Sequence, residues 1–545
     1  MEGGEKMKWL KYTTYNLCLL ALWAIFSPSF SANTYFFYRE IYYTNYGYIN
    51  KAIQRSDGTY WISMHGPSSN CPSGMREWSN LIKLDSTGSV AAYKNVVEND
   101  CEIWVEPFTI LDFGDRIVTL GLINRREISG YTVHPMFMIY DTSLNLLVWK
   151  QAYSAYGSFT AGAILDDGNA ILVGTGNGAL LTKIDKYGNI IWSKFFDEIG
   201  VLGSVEAIPG GFIASGGPRD SADNFSLYKF DNDGNLQIAR AFSNLPVGMK
   251  GREVEWPWTN NTHISYNSNS IVIAPRQDYN GCYLLADNNY IIKLDTNLNV
   301  IWAKHIDNFS TDSMTITGIQ AMNDGSIVVM RTGGTNHSIA ECGIWLFSLR
   351  QLNILKLDAN GNVVWSYIYN PVRSDYLTFE VGTSGEGTLS ETPDGNILAY
   401  GSSGQIAKGF VLKIRSSDGY TCIPYQPYNI TLSNVNITTY PTSLNEVSRI
   451  LSWNNITNIA YGGGLQFGGQ SCVVTPVSNE EDQVKCEKKY IINGNQIIFP
   501  DEESKYKIYK IDGSLYIQGK SRIVKLTKGI YIVEYEGKKE KVIIK

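Results

Sequence analysis

A short pattern of apolar and polar positions recurs along most of the chain. In its fullest copy, at residues 181–194, apolar residues flank Lys183 and precede Asp185; Gly188, Asn189 and an apolar pair then lead to Trp192. Six related copies begin at Leu81, Phe137, Tyr228, Ile292, Leu355 and Leu412. Alternating apolar residues around a Gly-Asn turn are typical of a β-hairpin. The pattern therefore predicts seven related hairpins.

A second turn signal stands before most copies and doubles the number of strands in each unit. Asp-Gly dipeptides occur there, each followed by an apolar run, and they supply the positive φ that tight turns need. Examples are at residues 57–58, 167–168, 324–325 and 394–395. Each unit then has four strands, a to d, with an Asp-Gly turn joining a to b and a Gly-Asn turn joining c to d. Four-stranded units at this spacing predict an all-β chain whose main domain, at residues 32–425, is a β-propeller. Seven blades follow, with six or eight as alternatives.

The two ends of this domain share the last blade. After Gly419 the fourth strand is poor, because Pro424 interrupts it. Residues 34–43 near the start of the chain align well with residues 190–196, which form a fourth strand in the fullest copy. We therefore expect residues 34–43 to supply the outer strand of the last blade and close the ring.

The copies resemble the tryptophan-bearing propeller repeats of the quinoprotein-like superfamily and its non-enzymatic relatives. In that superfamily a Leu-Asp-x-x-Gly-x-x-x-Trp pattern marks each blade, and the resemblance covers residues 34–425. It implies the fold and says little about activity, since one fold hosts many unrelated sites. Quinoprotein dehydrogenases are expected to carry a disulfide between adjacent cysteines near the cofactor. The sequence has no adjacent cysteines, and no cofactor is predicted.

Both termini differ from the repeat region. Lys6, Lys8 and Lys11 precede an apolar run at residues 17–26, which predicts a signal peptide over residues 1–31; an uncleaved anchor is the alternative. Residues 426–487, rich in Asn, Thr and Pro, are expected to be a linker or small β module. Residues 488–545 predict a C-terminal β-sandwich that resembles the sorting domain of type IX secretion cargo, although the usual Pro-Asn-Pro opening is missing. That resemblance implies export and attachment at the cell surface, and an ordinary small β-sandwich is the alternative.

Composition narrows the classes of partner. The net charge is −6, so there is no basic excess to neutralise phosphates and nucleic-acid binding is not expected. No other long apolar stretch predicts a membrane span in the mature chain. We expect a secreted or cell-surface protein with a protein or glycan partner.

Long insertions are expected on one face of the ring. They fall at residues 65–80, 97–111, 243–265, 277–289 and 333–352, all between strands b and c or between blades. Insertions collected on one face are typical of a binding surface in repeat folds. The candidate binding residues are the aromatic residues placed in these loops. They are Trp78, Trp104, Trp256, Trp258, Tyr279, Tyr283 and Trp345. They form an aromatic platform or pack the loops onto the rim, two alternatives of equal weight.

Cysteines and histidines also map to this face. Disulfides are expected for Cys71 with Cys101, Cys282 with Cys342 and Cys472 with Cys486, which leaves Cys422 over as an unpaired or intermolecular thiol. Four histidines, His65, His134, His263 and His337, belong to the same face. They share no ligand-like spacing, so no metal site and no catalytic residue is assigned. The leading hypothesis is a binding, adhesion or scaffold propeller. A hydrolase or lyase using the histidine-bearing loops and a structural component of a surface layer or filament are the alternatives.

Overall fold

The computed structural model of the chain describes the strands and tight turns of three regions. The described residues are 34–42, 48–67, 77–98, 103–127, 130–153, 155–176, 178–218, 225–243, 263–267, 270–274, 289–307, 314–334, 350–369, 379–380, 389–403, 408–449, 451–457, 459–462, 465–474, 484–487, 491–493, 496–498, 505–510, 514–520, 523–527, 529–535 and 538–544. All the regular elements among them are strands, so the prediction of an all-β chain is confirmed. The signal peptide predicted over residues 1–31 lies outside the described residues.

The first strand, β1 (Thr34–Tyr42), precedes a ring of antiparallel sheets. Blade 1 contains β2 (Tyr48–Gln54), β3 (Tyr60–Pro67), β4 (Glu77–Leu84) and β5 (Val90–Glu98); blade 2 contains β6 (Ile103–Asp112), β7 (Arg116–Glu127), β8 (Gly130–Asp141) and β9 (Leu146–Ala152); blade 3 contains β10 (Phe159–Ile164), β11 (Ala170–Thr175), β12 (Ala179–Ile184) and β13 (Ile190–Phe196). Blade 4 contains β14 (Ile199–Ile208), β15 (Gly211–Pro218), β16 (Phe225–Asp231) and β17 (Leu236–Ser243); blade 5 contains β18 (His263–Asn267), β19 (Ser270–Ala274), β20 (Tyr290–Asp295) and β21 (Val300–Asp307). Blade 6 contains β22 (Thr315–Ala321), β23 (Ile327–Gly334), β24 (Arg350–Leu357) and β25 (Val363–Tyr369); blade 7 contains β26 (Phe379–Glu380), β27 (Leu389–Glu391), β28 (Ile397–Ser403), β29 (Lys408–Ile414) and β1. The prediction of a seven-bladed propeller is confirmed.

Strand β1 closes the ring as the fourth strand of blade 7. It runs antiparallel to β29, with Tyr38 opposite Leu412. Arg39 donates from Nε to the carbonyl of Gly88 in blade 1, as Lys194 of blade 3 donates to the next blade. Burial lowers the pKa of Arg39 to about 10, against an opposing effect of Asp85. The prediction that residues 34–43 supply the outer strand of the last blade is therefore confirmed.

Residues 425–474, named the belt here, run back around the outside of the ring. The belt strands are β30 (Tyr425–Pro427), β31 (Thr431–Asn434), β32 (Thr438–Pro441), β33 (Trp453–Asn455), β34 (Ile459–Gly462) and β35 (Gln466–Val474). They pair in turn with blades 6, 5, 4, 2, 1 and 7, and a single bridge joins Val447 to Phe195 of blade 3. A further strand, β36 (Val484–Glu487), pairs with β35. The structure thus places most of residues 426–487 against the blades, not in a linker or separate β module. Each of these short strands forms by pairing with the outer strand of a blade. The local pattern of apolar and polar residues therefore does not reveal them.

The belt also covers the apolar core between each pair of adjacent blades. Each of the seven inter-blade clusters includes a belt side chain, starting with Tyr425 between blades 6 and 7. The other six, in chain order, are Leu432, Ile437, Leu444, Trp453, Ile456 and Leu465. Burial of this apolar surface is what fixes the belt to the ring.

The repeated pattern encodes contacts between neighbouring blades. In blade 3, the Nζ of Lys183 bonds to Asp167 at 2.5 Å and to the carbonyl of Asn232, in the c–d turn of blade 4, at 2.7 Å. In blade 5, the Nζ of Lys293 and the indole Nε1 of Trp302 both donate to the carbonyl of Ala359, at 3.0 and 3.2 Å. The Lys and Trp of a copy therefore bind the turn of the following copy.

The Gly of the pattern makes room for the Trp of the preceding blade. Gly234 has a φ of 72°, and a Cβ there would lie 2.5 Å from the Cη2 of Trp192. The Asp of the turn holds this geometry: the Oδ1 of Asp231 accepts from the backbone N–H of Asn235 at 2.8 Å. The repeated Asp, Gly and Trp are accordingly structural.

Blade 2 places its tryptophan one residue beyond the repeat position. The alignment of the repeat copies predicts that Trp149 shares the position of Trp192. Val148, opposite Ile139, instead occupies the position that Trp192 holds opposite Lys183 in blade 3. Trp149 is the next residue and packs in the core between blades 1 and 2. The prediction for Trp149 is therefore wrong, although the two blades have the same register and a bulge at the same place.

The C-terminal region contains two small sheets. Its strands are β37 (Ile491–Asn493), β38 (Gln496–Ile498), β39 (Lys505–Lys510), β40 (Leu515–Lys520), β41 (Ile523–Lys525), β42 (Gly529–Tyr535) and β43 (Lys538–Ile544). One sheet has the order β37-β38-β41 and the other β40-β39-β42-β43. Side chains from both sheets, including Ile497, Ile508, Val524 and Val533, form one buried cluster. The expected small C-terminal β-sandwich is confirmed.

The expected cysteine pairing needs correction. Cys422 is disulfide-bonded, so it is not the thiol left over from the three expected pairs. A bond from Cys422 to any cysteine after the predicted signal peptide breaks one of those pairs. The Sγ of Cys422 also lies 2.9 Å from the carbonyl oxygen of Phe36 in β1. Spacing along the chain does not give disulfide connectivity, which is why the pairing was not predictable.

Candidate binding face

The two faces of the ring are built differently. The a–b and c–d turns lie on one face, named the lower face, where backbone bonds such as Gly188 N–H to Asp185 O at 3.0 Å close them tightly. The b–c and d–a connections lie on the other, named the upper face. They include the long segments from Ser243 to His263, from Ala274 to Tyr290 and from Gly334 to Arg350. The strand ends that these segments join lie on the upper face, and the described a–b and c–d turns of the lower face are short.

One expected insertion is a strand instead. Most of residues 97–111 belong to β6, the inner strand of blade 2. The register of β6 shifts between Pro107 and Thr109, which places a bulge there. A proline at a bulge interrupts the alternating pattern without ending the strand, and this made β6 look like a loop in the sequence.

The structure describes two of the predicted binding residues. Trp78 is in β4 opposite Gly66, at the upper end of blade 1, and Trp104 is half-buried in β6 opposite Asn124, at the upper end of blade 2. Strands β4 and β6 are in contact. Trp256, Trp258, Tyr279, Tyr283 and Trp345 lie outside the described residues, as do Cys71, Cys101, Cys282 and Cys342. The backbones of Cys472 and Cys486 lie directly opposite each other in β35 and β36.

Buried polar groups lie at the upper end of blades 1 and 2. The Nδ2 of Asn50 is 2.9 Å from the Nδ1 of His65 and also donates to the carbonyl of Pro107 in blade 2. Asn50, His65 and Glu106 are all at least 95% buried. Asn50 occupies the bulge of its inner strand, so the bulge aims its amide at the next blade. These groups position the inner strands of the two blades.

A second polar set lies at the upper end of blade 5. The Nδ1 of His305 is 3.0 Å from Asp307, and the hydroxyl of Ser433 in the belt donates to the same carboxylate at 2.8 Å. These two hydrogen bonds, His305 first, lower the pKa of Asp307. His305 was omitted from the predicted set although it lies on the same face.

The described histidines are dispersed around the ring. His65 bonds to Asn50, His134 to the carbonyl of Ala155 at 3.0 Å, and His305 to Asp307, in blades 1, 2 and 5. His263 begins β18, and His337 lies outside the described residues. Among the residues that the structure describes, no three His, Cys, Asp or Glu side chains converge as metal ligands would.

The lower face uses its polar groups for structure. In the blade 6 turn, Asp358 accepts hydrogen bonds from the backbone and side chain of Asn362, and these lower the pKa of its carboxyl. The same Asp-to-Asn bonds occur in the turns of blades 2, 3, 4 and 5. The aspartates of these c–d turns are therefore occupied within their own turns.

The d–a loop between β9 and β10 holds two residues that sequence reasoning missed. Tyr153 and Tyr156 are each 51% exposed on the upper face. The sequence signal for them is two tyrosines in an uncharged stretch, but this loop is short and does not stand out among the long insertions.

Comparisons with known proteins bear on the fold alone. No family model matches the chain, and no curated protein matches it. Solved structures with a similar fold include a protein of unknown function from Bacteroides caccae, 10% identical over 59% of this chain and 93% of that one, with a TM-score of 0.32. A quinohemoprotein alcohol dehydrogenase from Comamonas testosteroni is 11% identical over 70% and 77%, with a TM-score of 0.35. The propeller domain of the Trilobed protease from Pyrococcus furiosus is 10% identical over 60% and 96%, with a TM-score of 0.30. At these values the likenesses carry no argument about activity.

The described part of the chain contains no helix long and apolar enough to cross a membrane.

Proposed function

We propose that this chain is a secreted or cell-surface β-propeller that binds a protein or glycan through its upper face. One observation carries the proposal: the strand ends joined by the long connections are all on that face. In repeat folds, variable segments on one side of a rigid scaffold are where binding residues concentrate.

The lower face supports the proposal by contrast. Its lysines and tryptophans bind the turn of the next blade, as Lys293 and Trp302 do at Ala359. Its aspartates accept hydrogen bonds within their own turns. A face whose polar groups are used in holding the ring together has few left to bind a partner.

The proposed location depends on the two ends of the chain. Residues 1–31 would direct secretion. The C-terminal β-sandwich would act as the sorting or attachment domain, and its separate buried cluster around Ile508 and Val533 supports an independent role. Deleting residues 488–545 should remove the protein from the cell surface, whereas a surface level equal to that of the full chain would contradict this part of the proposal.

The binding role is tested by replacing upper-face aromatics. Trp256→Ala/Trp258→Ala should weaken adhesion of the purified chain to immobilised extracellular proteins and glycans by at least tenfold. The matched control is Asp115→Ala/Lys186→Ala, which removes an exposed ion pair of 3.1 Å on the lower face and should leave adhesion unchanged. Circular dichroism checks that both variants fold. Equal adhesion by all three proteins would contradict the proposal.

A further inference from the structure

The d–a loop between blades 2 and 3 presents two exposed aromatic rings. Tyr153 and Tyr156 lie on this one loop, and each side chain is 51% exposed. Contacts at Tyr153, Ala155 and Gly157 hold the loop against the strands and the belt, so the exposure of the two rings follows from the fold.

Tyr153 is fixed from below and from the side. Its ring stacks on His134 with a centroid distance of 5.3 Å and an interplanar angle of 9°. Its backbone N–H donates to the carbonyl of Ser452 in the belt at 2.9 Å. One face of the phenol ring is thus covered by an imidazole, and the ring orientation is set before any ligand arrives.

The rest of the loop is fixed by the same histidine and by a glycine. The Nδ1 of His134 bonds to the carbonyl of Ala155 at 3.0 Å, and Gly157 donates to the carbonyl of Val133 at 2.9 Å. Gly157 has a φ of 154°, and a Cβ there would lie 2.2 Å from the carbonyl oxygen of Thr175. The loop therefore returns to the strands on both sides of Tyr156.

The two chain segments next to the rings carry no charged side chain. Residues 152–165 contain no charged side chain, and neither do residues 450–478 of the belt and its continuation. Ser452 and Asn454 of the belt are exposed, and the backbone of Asn454 pairs with Gln151, two residues before Tyr153. In the same sheet, Arg125 donates twice to the Oε1 of Gln151, at 3.0 and 2.8 Å. A charged ligand would find no opposite charge in these two segments.

We propose that Tyr153 and Tyr156 form a stacking platform for an uncharged saccharide. A rigid, half-exposed aromatic ring stacks well on the apolar face of a sugar, and neighbouring hydroxyl and amide groups can hydrogen-bond to its edge hydroxyls. An uncharged polyhydroxylated ligand suits this site better than an acidic polymer or a charged protein surface. This inference rests on the proposed function, since it names a ligand class for the upper face.

Affinity electrophoresis of the full chain tests the platform. The probes are four neutral polymers, dextran, mannan, xylan and hydroxyethyl cellulose, with alginate as the charged comparison. At least one neutral polymer should retard the wild-type chain, and alginate should not. Tyr153→Ala/Tyr156→Ala should weaken that retardation at least tenfold, and Tyr153→Phe, which keeps the ring, should change it less than threefold. The matched control is Tyr187→Ala on the lower face, where the tyrosine is 57% exposed, and it should behave as wild type.

Three results overturn the platform: no retardation by any neutral polymer, retardation by alginate alone, or equal retardation of the double variant by the neutral polymer.

Adhesion of the Trp256→Ala/Trp258→Ala variant separates the two proposals. If that variant loses adhesion while the tyrosine variant binds as wild type, the platform is wrong and the binding role of the upper face stands. If neither variant loses binding, both proposals fail.

Discussion

Two neighbouring interfaces of the ring fill the same space in opposite ways. Between blades 3 and 4, Trp192 of the earlier blade lies over Gly234 in the turn of the later one. Between blades 4 and 5, Ile238 takes the place of the Trp, and the turn carries Leu298 in place of the Gly. Leu298 keeps the turn conformation, with a φ of 63°, although this region is unfavourable for a residue with a Cβ.

The difference indicates that the residue in the turn and the residue that faces it, in the fourth strand of the preceding blade, pack as one unit. In these two interfaces the large strand residue goes with a glycine and the smaller one with a leucine. Between blades 5 and 6, Trp302 likewise faces Gly361, whereas between blades 2 and 3 the smaller Val148 also faces a glycine, Gly188. The interface between blades 1 and 2 repeats the second arrangement, since Ala92 stands opposite Lys83 and Leu144 occupies the turn with a φ of 67°. The buried Leu298 and Leu144 offset the backbone strain by filling space that a tryptophan occupies elsewhere.

The largest expected effect comes from placing leucine in the turn under Trp192. Gly234→Leu should destabilise the chain by about 3–5 kcal/mol, because it adds both overpacking and a left-handed backbone penalty. Urea unfolding followed by far-ultraviolet circular dichroism measures the loss. Trp192→Ile/Gly234→Leu, which copies the next interface, should recover more than half of it. A double variant no more stable than Gly234→Leu would show that the two positions are not one unit.

The reverse change at the next interface should cost less. Leu298→Gly removes a fully buried side chain and leaves a cavity, while it relieves the strain of a positive φ. We expect a net loss of about 2–3 kcal/mol in the free energy of unfolding. Ile238→Trp/Leu298→Gly should regain stability, because the indole can enter the space as Trp192 does. Leu144→Gly, at an interface where Ala92 is smaller still, should cost at least as much as Leu298→Gly.

The lysines of the two interfaces should differ by a smaller amount. Lys183 is 5% exposed and bonds to both Asp167 and the carbonyl of Asn232, whereas half-buried Lys229 bonds to the carbonyl of Thr296 at 3.0 Å. Lys183→Met leaves a carboxylate without its cation and should cost about 2 kcal/mol, against about 1 kcal/mol for Lys229→Met. Equal losses in thermal unfolding would contradict the assigned role of Asp167.

Acid should affect the two turns alike, and this is the smallest effect. Burial alone would raise the pKa of Asp231 and Asp295. Hydrogen bonds from Asn235 and Asn299 together outweigh this effect, so both pKa values are lower than usual. Each carboxyl has a lower pKa in the folded than in the unfolded state, so its ionised form stabilises the fold above the unfolded pKa of about 3.9. This stabilisation is lost as the pH falls through the folded pKa. Wild type should therefore lose more stability between pH 7 and pH 3 than Asp231→Asn or Asp295→Asn. Denaturant unfolding at the two pH values measures this, and a larger loss in either variant would contradict it.

The sequence predicted the ring because the ring is built from local repeats. The bonds of Asp185 within its own turn and the left-handed glycine at Gly188 are properties of a few consecutive residues. Closure by β1 was also predictable, because residues 34–43 carry the fourth-strand pattern. Features that depend on distant segments were not predictable. The belt needs the edges of finished blades, and the partner of Cys422 does not follow from spacing along the chain.

The candidate site was predictable only as a face. The repeat fixes which connections lie on the upper side, so the long insertions could be placed there from spacing. The platform of Tyr153 and Tyr156 depends on His134 in another strand and on Ser452, far along the chain in the belt. No local pattern records that Tyr153, His134 and Ser452 meet.

The belt has a consequence for how this propeller can evolve. Propellers change size by duplicating or losing a blade, which alters the repeat region alone. Here each blade joint is also covered by its own belt side chain, from Tyr425 at one joint to Leu465 at another, and β35 must arrive beside β1. A gained or lost blade would leave the belt out of step with every later joint. The number of blades must therefore match the length of the belt, a segment with no repeat of its own.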